Sequence, residues 1–164
     1  MRFVTKRVDL GRHVTIHDAS TIAFDPETVA AFHGPSTVVT PWTMPHPTRL
    51  PHVQSRTVTF DMPLPGIVAP FFPPTVTAVQ TRVVDDTGCV RVNSSTSLGV
   101  HPIFTIKFDS NRHVIFEADV AVRAPSCIPR CLRGIAERLG VAIAARDFAR
   151  YLAIVENKIR VSEY

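Results

Sequence analysis

The chain has 164 residues, 45% of them hydrophobic and 20% charged, with 18 basic against 14 acidic side chains and a net charge of +4. This length suits a single domain, residues 1–164, that buries about two-thirds of the surface of its unfolded chain, and the composition is too apolar for a disordered protein. All but three of the basic residues are arginine, and they are scattered along the chain. That spread argues against a nucleic-acid binder, which gathers its charge on one face or stripe.

Three cysteines are an odd number in a chain large enough to have its own core, so no disulfide framework is expected. Cys127 and Cys131 read as small packing residues near the start of a helix, and Cys89 has no evident partner. No run approaches the roughly 18 apolar residues of a membrane span. The N-terminus lacks the apolar core of a secretory signal, so an intracellular soluble protein is expected.

In chain order, residues 13–17 suggest a weak strand in which Val14 and Ile16 alternate with polar neighbours. A sharper signal follows. Asp25 suits an N-cap, Pro26 the first helical position and Gly34 the stop, which predicts a two-turn helix. Residues 35–52 hold Pro35, Pro41, Pro45, Pro47 and Pro51, which remove amide donors and predict an irregular surface segment pinned to the body by Trp42.

The first clear strand places Arg56, Val58, Phe60 and Met62 on one face and Thr57, Thr59 and Asp61 on the other. Residues 63–74 then carry no charge at all. Apolar area is stabilised by about 25 cal/mol per Å2 on leaving water, so Ile67, Val68, Phe71 and Phe72 either fold onto the body or form a membrane or partner contact. Strands follow at 75–84 and 89–98, joined by the turn Asp85, Asp86, Thr87, Gly88. Two more, 103–108 and 113–122, flank a turn at 109–112. Phe104, Ile106 and Phe108 share one face, as do Val114, Phe116, Ala118, Val120 and Val122, and both faces point inward.

A helix is predicted over 127–158. Ile128, Leu132, Ile135 and Leu139 recur at helical spacing, and Phe148, Leu152, Val155 and Ile159 resume it beyond Gly140. Glycine is about 1 kcal/mol less favourable than alanine inside a helix, so a kink or break is expected there. The fold class is therefore α+β, a curved antiparallel sheet with a short N-terminal helix and a long C-terminal helix laid across it.

Three stretches, FDMPLPGIVAPFFPPTVTAVQTRVVDD, VNSSTSLG, and VAVRAPSCIPRCLRGIAERLG leading into AARDFARYLAIVENKI, resemble the START-like (SRPBCC) superfamily with its helix-grip fold. Within it they resemble a plant, algal and cyanobacterial START-like branch of unknown function. The resemblance covers roughly residues 50–160, in hydrophobic pattern and proline placement. It implies an apolar ligand held between sheet and terminal helix, a plastid location if the plant and algal likeness holds, and in some relatives cyclase or hydratase chemistry.

On that reading Phe60, Met62, Phe104, Phe116, Phe148 and Leu152 line a cavity; otherwise they fill a core. Arg82 shares a strand face with Val76, Ala78, Gln80 and Val84. Facing water, the favoured orientation, it is an ordinary solvated cation. Facing inward it needs an anionic partner, which a carboxylate or phosphate head group supplies, and on that reading it joins the ligand-binding candidates. Glu117 and Asp119 have the opposite parity from Phe116 and face water.

His33, His46 and His52 fit no metal motif, and no metal or cofactor is expected. No phosphate loop, nucleophile elbow or zinc-helix motif is found, so no catalytic residue is assigned. The expected function is binding or carriage of a hydrophobic or amphipathic small molecule, a lipid or isoprenoid. The loop 63–74 is the expected site of peripheral membrane contact, and no nucleic-acid partner is expected. The alternatives are an enzyme of cyclase or hydratase type using the same cavity, and an interaction domain with a filled core.

Overall fold

The structure, a computed structural model, describes residues 1–44, 53–62, 73–124, 126 and 128–162. Its elements are β1 (Arg2–Asp9), α1 (Ile16–Phe24), α2 (Pro26–His33), β2 (Val38–Val39), β3 (Val53–Asp61), β4 (Thr75–Val84), β5 (Val90–Thr96), β6 (Val100–Phe108), β7 (Val114–Val122) and α3 (Arg130–Ser162). The strands form one antiparallel sheet in the order β1-β7-β6-β5-β4-β3-β2. After β1 the chain crosses through both short helices to the far edge. It then meanders back strand by strand until β7 pairs with β1.

The turns follow from local chemistry. Asp85 Oδ1 accepts from the amides of Thr87 and Cys89, and Asp109 Oδ1 from those of Asn111 and His113, which closes the two expected hairpins. Gly99 ends a third turn with φ +74°, and a side chain there would also meet the carbonyl oxygen of Arg123 at 2.8 Å. Only glycine fits both demands.

Register carries one parity across the sheet. Val92 lies opposite Phe104, Phe104 opposite Ala118, and Ile106 opposite Phe116. Even-numbered residues therefore point inward from β3 to β7, and Val58, Val76, Val92, Ile106, Phe116 and Val120 are each at most 1% exposed, whereas Phe108, expected inward with them, is 51% exposed at the end of β6. Glu117 and Asp119 take the outer face as expected. Glu117 pairs with Lys107 at 2.7 Å, and Asp119 accepts from Thr5.

Four local expectations change. Residues 13–17 form no strand, because Thr15 caps α1 by accepting from the amide of Asp18, so Ile16 opens a helix. There are accordingly two short helices, with Asp25 ending α1 and capping α2 through the amides of Glu27 and Thr28. Part of the 35–52 segment, expected to be irregular, pairs with β3 as the edge strand β2, and Thr43 adds an isolated bridge to Ser55.

The fourth concerns α3, which runs unbroken through Gly140. A Cβ at that position would lie 2.6 Å from Cγ1 of Val122 on β7, so the glycine lets the helix press onto the sheet. The closeness of packing outweighs the propensity loss. Gly140→Ala is expected to lower stability in urea by about 1–3 kcal/mol through overpacking, and Val122→Ala in the same chain to recover part of that loss. A rise of about 1 kcal/mol, the value of helix propensity alone, would show that α3 stands further from β7.

Candidate functional site

The inner face of the sheet divides into an apolar half and a polar half. Over β6 and β7, Phe104 and Phe116 pack on Phe24 of α1 and on each other, Phe148 packs on Phe104, and Tyr151 packs on Phe104 and Phe116, all edge to face or tilted at centroid separations between 5.5 and 6.2 Å. Leu152, Val155 and Ile159 extend this cluster along α3, and all are buried. The structure thus brings together four of the expected ligand residues, Phe104, Phe116, Phe148 and Leu152, as mutually packed side chains. Phe60 stands apart in a second cluster with Val29, Val58 and Ala78. Met62 is half-buried at the end of β3, its amide bonded to the carbonyl of Pro74. Ile67, Val68, Phe71 and Phe72 lie outside the described residues, as do His46, His52 and Cys127.

The polar half lies on β3 to β5. Arg56 faces Gln80 across the ladder, Gln54 faces Arg82, and Gln80 faces Ser94, all with inward parity. The expected outward orientation of Arg82 is therefore corrected. Its strand buries Val76 and Ala78, and residues two apart on a strand share a face. Arg56 and Arg82 are diagonal neighbours on adjacent strands, which places their backbones about 7–8 Å apart.

Arg56 is only 4% exposed. Its Nε donates to Oε1 of Gln80 at 2.8 Å, its Nη1 donates to the carbonyl of Phe24 at 2.6 Å, and its guanidinium lies 4.3 Å from the ring centroid of Trp42. Burial, with the nearby charge of Arg82, lowers its pKa to about 10, so it is a cation at neutral pH. Burial also lowers that of Arg82. Nη2 of Arg56 and Nε of Arg82 are buried without a hydrogen-bond partner, and neither arginine forms an ion pair among the described residues. The acid acting on Arg56 is Asp25, which sits 3.6 Å from the ammonium of Lys158.

Arg56 and Gln80 were absent from the sequence candidates, yet Arg56 shares a face with Val58 and Phe60 in the strand pattern. A cation among apolar residues of one parity was the available signal. Nothing local marks Tyr151, whose buried hydroxyl donates to the carbonyl of Ala23 and is held well above the usual phenol range by burial.

Two surface clefts lie elsewhere. One of about 490 Å3 is lined by Asp9, Leu10, His13, His113, Glu156 and Arg160, with Asp9 Oδ2 2.7 Å from Nδ1 of His113. The other, of about 380 Å3, lies beside Cys89, Lys107 and Phe108, and burial raises the Cys89 thiol. No group of three metal-ligating side chains occurs among the described residues.

No known family profile matches the chain, and no curated protein matches it. Among solved structures, the crystal structure of TTHA0849 from Thermus thermophilus is similar over 99% of this chain and 100% of that one, with a TM-score of 0.61 and 11% identity. Protein CV1439 from Chromobacterium violaceum is similar over 94% and 96% of the two chains, with a TM-score of 0.47 and 12% identity. The first likeness, with the seven-stranded sheet and its C-terminal helix, shows a helix-grip-like fold.

At the other end of the polar strands His33 stacks on Phe60, with ring centroids 3.8 Å apart and planes 19° apart. Burial, with the charge of Arg150, lowers its pKa from 6.5 to about 4. Between those values the unfolded chain binds the proton and the folded chain does not, so stability is complete above about 6.5 and falls as pH drops towards 4. Urea midpoints measured from pH 7 to pH 4.5 are expected to fall for the wild type and to fall less for His33→Gln. Parallel profiles for the two proteins would place His33 in water.

Proposed function

We propose that the protein binds an amphipathic small molecule carrying a carboxylate or phosphate head, with a lipid-like or isoprenoid tail. The head pairs with Arg82 and the free Nη2 of Arg56, and the tail extends from them along β3 to β5, away from the packed aromatic rings. The observation that carries this reading is the pair of inward arginines, each with a buried N–H that has no partner among the described residues. Unpartnered buried donors are destabilising by about 1–3 kcal/mol or more when charged, and a bound anion removes that cost at both positions.

The hydroxyls of Ser20 and Thr28, also fully buried and unpartnered, offer further polar contacts between helices and sheet. The tail supplies affinity through burial at about 25 cal/mol per Å2, while the head fixes orientation. The START-like resemblance supports the same reading, since members of that superfamily hold apolar ligands between sheet and helix. The helix-grip-like fold is the coarser feature on which it rests.

Carriage is favoured over catalysis by the character of the polar groups. Arg56 holds its proton at neutral pH, Tyr151 is pushed further from ionisation, and His33 is pushed towards a weak base. General acid or base work near pH 7 needs a group titrating near that value.

A fluorescent fatty acid and the fatty alcohol of equal chain length separate the contribution of the head from that of the tail. The wild type is expected to prefer the acid. Arg82→Leu is expected to weaken acid binding by about ten- to a hundredfold, the worth of one charge-assisted hydrogen bond, and to leave alcohol binding unchanged. Equal affinity for acid and alcohol would remove the arginines from the site. Absence of binding to both, with no ligand co-purifying in native mass spectrometry, would overturn the carrier reading.

A further inference from the structure

The two apolar runs of α3 do not face the same way. From Leu139 to Phe148 is nine residues, or about two and a half turns at 3.6 residues per turn, so runs in phase within themselves sit on opposite sides of the helix. The later run faces the core. The earlier one, continued by Ile143, faces outward. Leu132 is 50% exposed, Ile135 56%, Leu139 60% and Ile143 58%, at successive spacings of three, four and four. Single exposed aliphatic residues are ordinary, but four contiguous on one helix face are not.

The charge around this stripe is mostly positive. Arg146 continues the stripe one turn beyond Ile143 with its side chain 87% exposed, near Asp147 at 3.9 Å, and Arg138 is exposed to one side of it. Between residues 130 and 150 the chain holds five arginines against Glu137 and Asp147. Glu137 is withdrawn from that face. It accepts from the N-terminal ammonium at 3.0 Å and from the amide of Ala124.

We infer that the outward face of the first half of α3 docks on an anionic membrane surface. Leu132, Ile135, Leu139 and Ile143 enter the head-group boundary, and Arg138 and Arg146 meet lipid phosphates. An apolar stripe edged by arginines is the pattern of a helix lying in the interface plane. No helix among the described residues is long and apolar enough to cross a membrane, so α3 lies on the surface. A second copy of the chain suits the stripe less well. Four half-exposed aliphatic side chains offer roughly 200–400 Å2, against about 800 Å2 per partner in a stable interface, and pairing would bring arginines together.

Flotation of the full chain with vesicles tests this. With mixed phosphatidylcholine and phosphatidylglycerol vesicles, binding is expected to exceed that to phosphatidylcholine alone by about ten- to a hundredfold and to fall with added salt. The double variant Leu139→Asp, Ile143→Asp is expected to lose at least tenfold in vesicle binding. Its circular dichroism and melting temperature are expected to match the wild type, because both side chains point away from the core. Equal flotation with the two vesicle types, or a folded double variant that floats like the wild type, would overturn the inference. So would a wild type that ignores vesicles but sediments as a dimer that the variant dissociates, which would make the face a self-interface.

Discussion

The fold is gathered around one buried cation. Arg56 reaches from β3 to Gln80 on β4, to the carbonyl that ends α1 at Phe24, and over the ring of Trp42 in the segment that leads to β3. The last carbonyls of a helix have no partner within it and carry the negative end of its dipole, so a guanidinium is well matched to that place. Tyr151 of α3 takes the neighbouring carbonyl of Ala23. Sheet, short helices and long helix are thereby fixed to one another by side chains aimed at a single helix end.

The constraint also explains the two halves of the interior. Where α1 and α3 press on β6 and β7, aromatic rings fill the space and leave the four expected cavity residues in contact with one another. Where the sheet continues to β4 and β3, its inner face changes to Gln54, Arg56, Gln80, Arg82 and Ser94. Burying a guanidinium is expensive unless its donors are satisfied. Arg56 satisfies two groups of donors and leaves one free, and Arg82 leaves one as well. The ligand reading grows from that remainder of unmet hydrogen bonding, and from no pocket volume.

The long helix shows how packing overrides local preference. Gly140 weakens a helix in isolation, yet here a Cβ would lie 2.6 Å from Cγ1 of Val122 on β7, so the absent side chain is what allows contact. On the other side of the same segment, the apolar face of Leu132, Ile135, Leu139 and Ile143 is exposed. The helix spacing of each run was plain in the sequence. Their opposition follows from counting nine residues between Leu139 and Phe148.

Short-range pattern was enough for the α+β class, the antiparallel hairpins at Asp85 and Asp109, the inward parity of Phe104 and Phe116, and the capping of α2 by Asp25. Each of these is set within a few residues by turn chemistry or by the two-residue period of a strand. It took the packing of distant elements to turn Arg82 inward, to carry α3 on through Gly140, to add β2 to the edge of the sheet, and to let Arg56 close the knot between helix end and strands. Those outcomes depend on groups distant in the chain: Gly140 from Val122, Val39 from Val58, and Arg56 from Gln80 and Phe24, the last two 24 and 32 residues apart. Periodicity reports which residues share a face; which face meets the core, and what each buried donor finds there, is fixed when distant elements pack.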